Sequence, residues 1–305
     1  MAAVTGERST RGERAMVTPE RPRSYYGLPI VKRPAWTWEV PWYLFTGGTA
    51  GALGAAAFAA RQRGARRLGR RARRLALGGA VISPLLLISD LGQPSRFLNM
   101  LRVFRPTSPM SVGSWTLAGF GAAVGAAEAA ELVGLPEPAA ASLEAVASVL
   151  GPILASYTAV LLGDTANPIW RGGRAVLPFV FAGSSLAGAG GALCLTSPTE
   201  DTGPARAMVL AGTAMDQGAF WLMEQGLGEL AQPYSLSQAG MMIKIHRASA
   251  VAGAVLVLTL GRRSRLGAAL GGLCSLVGSA ALRQAVFRAG FQAAEDPRYL
   301  VLSQE

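Results

Sequence analysis

Apolar residues are concentrated in long runs along most of the chain, with short polar segments between them. A helix of about 20 mainly apolar residues crosses the hydrocarbon core of a bilayer, so runs of this length are typical of membrane spans. Counting them predicts eight spans, at roughly residues 40–60, 75–92, 111–131, 143–163, 175–195, 207–226, 239–261 and 265–285. The predicted fold is therefore an all-α polytopic membrane protein.

The even division into four plus four spans predicts two four-helix bundles side by side. A polar N-terminal tail and interfacial segment occupies residues 1–39. The first bundle is expected at 40–163, the second at 164–285, and a C-terminal tail at 286–305. Eight crossings place both termini on the same side of the membrane, which we call the terminal face.

Composition supports this fold class and limits the meaning of the charge. Half of the 305 residues are hydrophobic and only 15% are charged, whereas soluble proteins carry about a quarter charged residues. The formal net charge is +11, but the arginines lie between apolar runs. They are therefore expected to set topology and to meet lipid headgroups, and binding of nucleic acid is not expected.

The densest group of positive charge predicts the orientation. The segment Arg61–Arg74, RQRGARRLGRRARR, is interpreted as the connection between the first two spans. The positive-inside rule makes its face cytoplasmic and the terminal face extracytoplasmic, within the cell membrane. The terminal face carries more Lys and Arg in total, which opposes this orientation. The opposite face is expected to hold little besides this loop, and Glu128 near its edge has no obvious partner.

Ionisable residues in or beside spans are costly and are therefore functional candidates. The stretch Ser89–Trp115 is more polar than a simple connection between two spans requires. With eight crossings it lies on the terminal face, as do the other charged candidates. Plain interfacial carboxylates, arginines that reach headgroups and an aromatic belt are the alternative interpretations. The candidates on this face are Glu39, Asp90, Arg96, Asn99, Asp164, Glu224, Lys244, His246 and Arg247, with Asp216 midway along the sixth span.

Missing motifs limit the chemistry further. Haem ligation by two histidines is excluded because the chain has one, and Cys194 and Cys274 lie in apolar segments that suggest buried thiols. No nucleotide-binding glycine motif is present. The chain is therefore expected to hold no haem, iron–sulfur cluster or metal, so any electrons must be exchanged with a docked partner. His246 is a candidate for proton transfer, although a plain hydrogen-bonding role is equally consistent with the sequence.

Three segments resemble a known family. YYGLPIVKRPAWTWEVPWYLFTGGTAG, DLGQPSRFLNMLRVFRPTSPMSVGSW and YTAVLLGDTANPIW are similar to the NrfD-type membrane subunits of polysulfide-reductase-like complexes. The resemblance runs from about Tyr25 through the fifth span and weakens in the last third. The family often has DLGRP at this aspartate, whereas Gln93 replaces the arginine here, so this chain has no positive charge at this position.

The resemblance implies a cofactor-free anchor that exchanges electrons with a four-cluster ferredoxin-like iron–sulfur subunit and, through it, with a molybdopterin catalytic subunit. Quinone or menaquinone would be its diffusible substrate. Arg102, Arg105 and Trp170 would shape the docking surface for the partner. The residues expected to handle protons are Glu39, Asp90, Asp164 and His246, and those expected to bind the quinone are Arg96, Asn99, Trp38 and Tyr157.

Two other functions remain open at this stage. A secondary transporter could use Asp164, Asp216 and Glu224 as an ion or proton pathway, although transporters usually place such residues near the midplane within repeats. A purely structural anchor is the third possibility, and the presence of Asp90 and Arg96 argues against it.

Overall fold

The computed structural model describes residues 34–302, and within them it is entirely helical apart from turns and short connections. In this range eight helices have 20 or more residues. Short helices connect them at Pro94–Arg96, Phe97–Met100, Pro168–Gly172, Thr199–Asp201, Gly228–Tyr234 and Leu260–Arg262. The long helices are α1 (Glu39–Gln62), α2 (Arg66–Asp90), α3 (Pro109–Leu132), α4 (Glu137–Gly163), α5 (Leu177–Thr196), α6 (Gly203–Leu227), α7 (Ser237–Thr259) and α8 (Arg265–Glu295).

Five of these helices are long and apolar enough to cross a membrane: α2, α4, α5, α7 with its extension to Arg262, and α8. The chain is therefore a multi-pass membrane protein. Helices α1 and α3 are of similar length but are richer in glycine and alanine, as in TGGTAGALGAAAFAA of α1, and α6 carries the polar residues Asp216, Gln217 and Glu224. Small side chains contribute less hydropathy than Leu or Val, and they allow close helix packing.

The long helices pack mainly on their chain neighbours. Helix α1 contacts α2 and α4, and α3 contacts the same two helices. In the same way α5 and α7 each contact α6 and α8. Helices α1 and α4 also contact α5, and α1 contacts α8. Glycine permits these approaches: a Cβ on Gly51 would lie 2.3 Å from the carbonyl oxygen of Gly151, where α1 crosses α4.

Local sequence signals explain where several helices begin and end. Gly64 and Gly134 have φ of 73° and 72° in the α1–α2 and α3–α4 turns, a backbone conformation that favours glycine. The Ser108 side chain accepts a hydrogen bond from the backbone N–H of Ser111 at the start of α3. Ser264 does the same for Gly267 at the start of α8. Serine is a preferred residue at such helix starts.

The arginine-rich segment is not the loop that the sequence suggested. Helix α1 continues to Gln62 and α2 begins at Arg66, so only residues 63–65 connect them. The prediction failed because a span was sought in apolar residues alone. Arginine, alanine and leucine are all strong helix formers, and the arginines of α2 are stabilised by carboxylates on neighbouring helices.

Those carboxylates correct a second expectation, that the arginine-rich face holds little else. Arg73 is 1% exposed and donates to Glu128 at 2.6 Å, to Glu144 at 2.6 Å and to Glu131 at 2.5 Å. Glu128, which had no obvious partner in the sequence, therefore lies within a network of three arginines and three glutamates. We call this group the arginine network: Arg61, Arg73, Arg74, Glu128, Glu131 and Glu144.

The last helix extends beyond the predicted eighth span, because α8 continues to Glu295. After it, Arg298–Leu302 forms a short helix, and the Tyr299 hydroxyl donates to the Gln232 side chain at 3.2 Å, which holds this helix against the connection between α6 and α7. Hydrogen bonds from Arg298 lower the pKa of the neighbouring Asp296 carboxyl. The chain after residue 285 is thus folded onto the helices as far as residue 302.

Candidate functional site

Two of the predicted site residues meet at the terminal face. Glu39 begins α1 and Asp90 ends α2, and these two helices pack side by side in opposite directions. Thr37 bridges them: its backbone N–H donates to Oδ1 of Asp90 at 3.0 Å and its hydroxyl lies 2.5 Å from the same oxygen. The hydroxyl also contacts Oε2 of Glu39. We call Glu39 and Asp90 the carboxylate pair.

The bridge has a chemical consequence. A threonine hydroxyl has one proton to donate and lone pairs that accept. It can donate to one carboxylate, and its contact with the other becomes a hydrogen bond only when that carboxyl carries a proton. Glu39 is 5% exposed and Asp90 is half-buried. None of the ion pairs within residues 34–302 includes either carboxylate, so this arrangement is suited to taking up and passing on a proton.

The tryptophans around the start of α1 divide into the exposed Trp38 and Trp42 and the half-buried Trp36. Trp38 is 65% exposed and Trp42 is 40% exposed. Trp36 instead packs on Trp170, with ring centroids 5.7 Å apart. Trp170 is fully buried, and its indole N–H donates to the carbonyl oxygen of Val286 at 2.9 Å. The prediction that Trp170 shapes a docking surface is therefore wrong, because its ring is enclosed by helices.

Arg96 and Asn99 lie in the polar segment that follows Asp90, and both are exposed. This segment is folded: Pro94–Arg96 and Phe97–Met100 form short helices. Further along, the Ser111 hydroxyl accepts from the backbone N–H of Arg105 at 3.0 Å and donates to the carbonyl of Val103. The segment therefore forms a structured surface directly after Asp90 in the chain, in which Arg96 and Asn99 are exposed together with the apolar Leu98, Val103 and Phe104.

Tyr157 and Asp164 lie near the same end of α4 but in different environments. Tyr157 is 8% exposed, and a Cβ on Gly113 would lie 1.9 Å from its ring. Gly113 thus provides the space on α3 that the tyrosine ring occupies. Asp164 follows the last residue of α4 and is exposed. The structure makes Tyr157 part of the helix packing and leaves Asp164 on the surface.

His246 lies in a separate polar cluster within α5–α8. It is fully buried about two and a half turns into α7, whereas the exposed Arg247 follows it directly in the chain. Its Nε2 is 2.8 Å from the Gln217 amide nitrogen and 3.6 Å from Asp216, and its Nδ1 is 2.9 Å from the carbonyl of Gly278. Because the Gln217 amide nitrogen can only donate, Nε2 of His246 accepts and Nδ1 carries the proton.

Arg283 is a buried cation that the sequence analysis did not select. Its guanidinium donates to the carbonyl of Phe181 at 2.8 Å and to the Ser185 hydroxyl at 2.9 Å, and lies 3.8 Å from the centre of the Phe181 ring. It occupies α8 among apolar residues, in SAALRQAVF. An arginine inside an apolar run was the available signal, but the residue fell at the end of the predicted span and resembled an interfacial charge.

Two further observations complete the description of the charged groups. Glu224 forms an ion pair with Arg247 at 2.5 Å, on the surface of α6 and α7. Within the part of the chain that the structure describes, no group of three or more His, Cys, Asp or Glu side chains could hold a metal ion. The ionisable side chains described above can form hydrogen bonds and exchange protons.

Fold and site together define a class: helical multi-pass membrane proteins with hydrogen-bonded carboxyl groups at one end of the helices. Comparison with known families identifies the particular group. Residues 23–295 match the NrfD-type polysulfide reductase family, and the chain belongs to it. It is thus a membrane subunit of a polysulfide-reductase-like complex, which has other subunits. The comparison with curated proteins finds no match.

Proposed function

We propose that this chain is a quinone-reactive membrane anchor that exchanges electrons with an iron–sulfur subunit on the terminal face. Through this four-cluster ferredoxin-like partner the electrons reach or leave a molybdopterin catalytic subunit. All eight long helices cross the membrane, α1–α4 as one bundle and α5–α8 as the other, with both termini extracytoplasmic. Family membership and the two similar sets of helix contacts support this arrangement.

The single observation that carries the proposal is the Thr37 bridge between Glu39 and Asp90. Quinol oxidation releases two electrons and two protons, so a quinol site needs a proton acceptor at hydrogen-bonding distance from the ring hydroxyl. Thr37 occupies Oδ1 of Asp90, and Oδ2 can accept from a second donor. Asp90 takes the proton of one quinol hydroxyl and Asp164 takes that of the other, as the two electrons leave for the partner.

Thr37 and Glu39 carry that proton onward. Rotation of the protonated Asp90 carboxyl brings its O–H to the Thr37 hydroxyl, to which it donates, while the hydroxyl gives its own proton to Glu39. The proton therefore moves from the ring to a second carboxylate without movement of the backbone. In quinone reduction the same groups act in the reverse order.

The other predicted residues have supporting roles in this proposal. Arg96 and Asn99 donate to a quinone carbonyl, and the exposed Trp38 ring contacts the quinone ring. The Tyr157 ring packs between α3 and α4 and borders the proposed quinone site. Asp164 exchanges protons with the aqueous side because it is exposed. His246 belongs to the separate cluster with Asp216, where it handles protons inside α5–α8.

The transporter alternative would require its acidic residues to act along one path. Asp164 is exposed, Glu224 is paired with Arg247, and Asp216 contacts Gln217, so the three have separate surroundings. A structural anchor without a quinone site would not need the Thr37 bridge. The oxidoreductase function is therefore the one that these contacts support best.

The test is purification of the tagged protein from its native membrane, followed by identification of its partners and assay of quinol-analogue oxidation. We expect an iron–sulfur subunit in the preparation and a loss of turnover of about 100-fold in Asp90→Asn. Glu229→Gln is the matched control, because it removes an exposed carboxylate near the same end of the helices.

Equal turnover in wild type and Asp90→Asn, with the complex intact, would remove Asp90 from the chemistry. Absence of a redox partner, together with substrate-dependent ion flux in liposomes, would instead establish the transporter. The activity of Glu229→Gln should equal that of wild type in either case.

A further inference from the structure

A large apolar groove lies between the two sets of helices on the arginine-rich side. Its volume is about 710 Å³, within the range of about 300–1,000 Å³ that ligand pockets occupy. Its walls come from α1 and α4 on one side and from α5 and α6 on the other. The lining is mainly alanine with a few larger apolar residues, including Ala52, Ala56, Ala59, Leu186, Ala207 and Met208.

The groove exists because α1 and α5 are in close contact only on one side of it. A Cβ on Gly48 would lie 2.5 Å from the Ser185 hydroxyl, so the two helices touch there. From Ala52 to the end of α1 both helices instead line open space. Along α5 the lining runs from Ala182 to Leu193, a length of about 16 Å. One leaflet of the hydrocarbon core is about 15 Å thick, so the groove matches an acyl chain in length.

The mouth of the groove carries positive charge that no carboxylate within residues 34–302 neutralises. Arg63 lines it, beside Ala65 and Leu68. Arg67 lies outside the lining, one helical turn before Arg71 on α2, and Arg71 pairs with Asp201, close to the start of α6, at 3.4 Å. Arg63 and Arg67 form no ion pair with any residue in the described range. The other six arginines of this segment all do: Arg61, Arg66, Arg70, Arg71, Arg73 and Arg74.

We propose that this groove binds an anionic phospholipid, with an acyl chain along the alanine-lined walls and the phosphate at Arg63 and Arg67. Basic pockets between membrane helices are known to bind anionic headgroups. A second membrane helix would fit the small residues equally well, but it would give no reason for two unpaired arginines at the mouth. This inference does not depend on the quinone site, which lies at the opposite ends of α1 and α2.

The test uses the full-length purified protein in nanodiscs with spin-labelled phosphatidylglycerol or the matching phosphatidylcholine. The label is placed near the end of the acyl chain, and the motionally restricted fraction measures binding. Each arginine near a membrane surface contributes about a fivefold preference for an anionic lipid. Wild type is therefore expected to prefer phosphatidylglycerol about 25-fold, and the double variant Arg63→Ala/Arg67→Ala should lose this preference.

Two further variants separate the headgroup from the chain. Ala56→Leu/Ala207→Leu fills the groove and should reduce the restricted fraction of both lipids. Arg262→Ala/Arg263→Ala removes the same charge from another exposed turn and should leave the preference unchanged. Equal binding of the two lipids by wild type would overturn the proposal. So would an unchanged preference after loss of Arg63 and Arg67, or displacement of both lipids by a long-chain quinone or by a co-purified membrane helix.

Discussion

The acidic side chains at the two ends of α1 and α2 have different kinds of contact partner. At the arginine-rich end, the three glutamates of the arginine network all form ion pairs with the same residue, Arg73. At the other end Glu39 and Asp90 share only the hydroxyl of Thr37. Fully paired charges hold helices in place, whereas carboxyl groups bridged by a hydroxyl can change protonation without breaking an ion pair. The difference separates the structural end of these helices from the proposed chemical end.

The largest expected effect follows from removal of Arg73. Arg73→Met leaves three glutamates close together without their shared cation, and loss of one partner of a buried ion pair typically costs about 3–5 kcal/mol. The free energy of unfolding in detergent measures this cost. Arg70→Ala is the control, because Arg70 is about half exposed and its ion pair with Glu131 is long, at 3.6 Å. Equal stability of the two variants would contradict a structural role for the network.

A second prediction concerns the helix crossing that lies between the two ends. Gly51→Ala would place a methyl group 2.3 Å from the Gly151 carbonyl, and overpacking of this kind costs about 1–3 kcal/mol. Gly78→Ala is the control, because a Cβ there meets nothing within 4 Å, and alanine at an open helical site stabilises by about 0.5–1 kcal/mol. Thermal unfolding should therefore shift in opposite directions for the two variants, and equal shifts would show that the crossing is not tightly packed.

His246 extends the comparison to α5–α8, where it lies in the helix interior with Asp216 and Gln217. His246→Gln keeps a polar side chain but cannot become a cation, and we expect quinol turnover of the complex to fall about 100-fold with an unfolding free energy changed by about 1 kcal/mol. Lys244→Gln, two residues earlier on α7, is the control for loss of a positive charge. If turnover is unchanged in His246→Gln, the cluster has only a structural role.

The smallest effect is expected at the edge of the arginine network. Arg74 contacts Glu128 at 2.8 Å, but its side chain is 62% exposed. Surface ion pairs contribute about 0–1 kcal/mol, so Arg74→Ala should change the unfolding free energy by about 0.5 kcal/mol or less. Chemical unfolding of Arg74→Ala and Arg73→Met under the same conditions measures the difference between their unfolding free energies. If Arg74→Ala lowered the unfolding free energy as much as Arg73→Met, burial would not determine how much each arginine contributes to stability.

The sequence predicted the helical membrane class because repeated apolar runs of this length are rare in soluble proteins. It also selected Glu39 and Asp90, since carboxylates beside spans are costly. Thr37 could not be selected, because a threonine among tryptophans has no distinguishing spacing, and its role depends on how α1 meets α2. The arginine network was missed for a related reason. Its glutamates lie more than fifty residues after Arg73 in the chain, and only the packing of α3 and α4 brings them there.

The positions of Trp170 and His246 show a different limit. A polar or aromatic residue near the end of a run can face the surface or the interior, and one residue of helical rotation, about 100°, decides between them. Trp170 is buried because Gly290 leaves room for its ring on α8: a Cβ there would lie 2.1 Å from the ring. No property of the segment around Trp170 reveals that space.

The most direct test of the central claim is quinol-analogue turnover by the purified complex with Thr37→Val and Thr37→Ser. Valine has nearly the shape of threonine but no hydroxyl, whereas serine keeps the hydroxyl. The account predicts that Thr37→Val lowers turnover about tenfold or more and that Thr37→Ser retains most of it, with the iron–sulfur partner bound in both. Equal turnover in the two variants would show that the bridge between Glu39 and Asp90 takes no part in proton exchange.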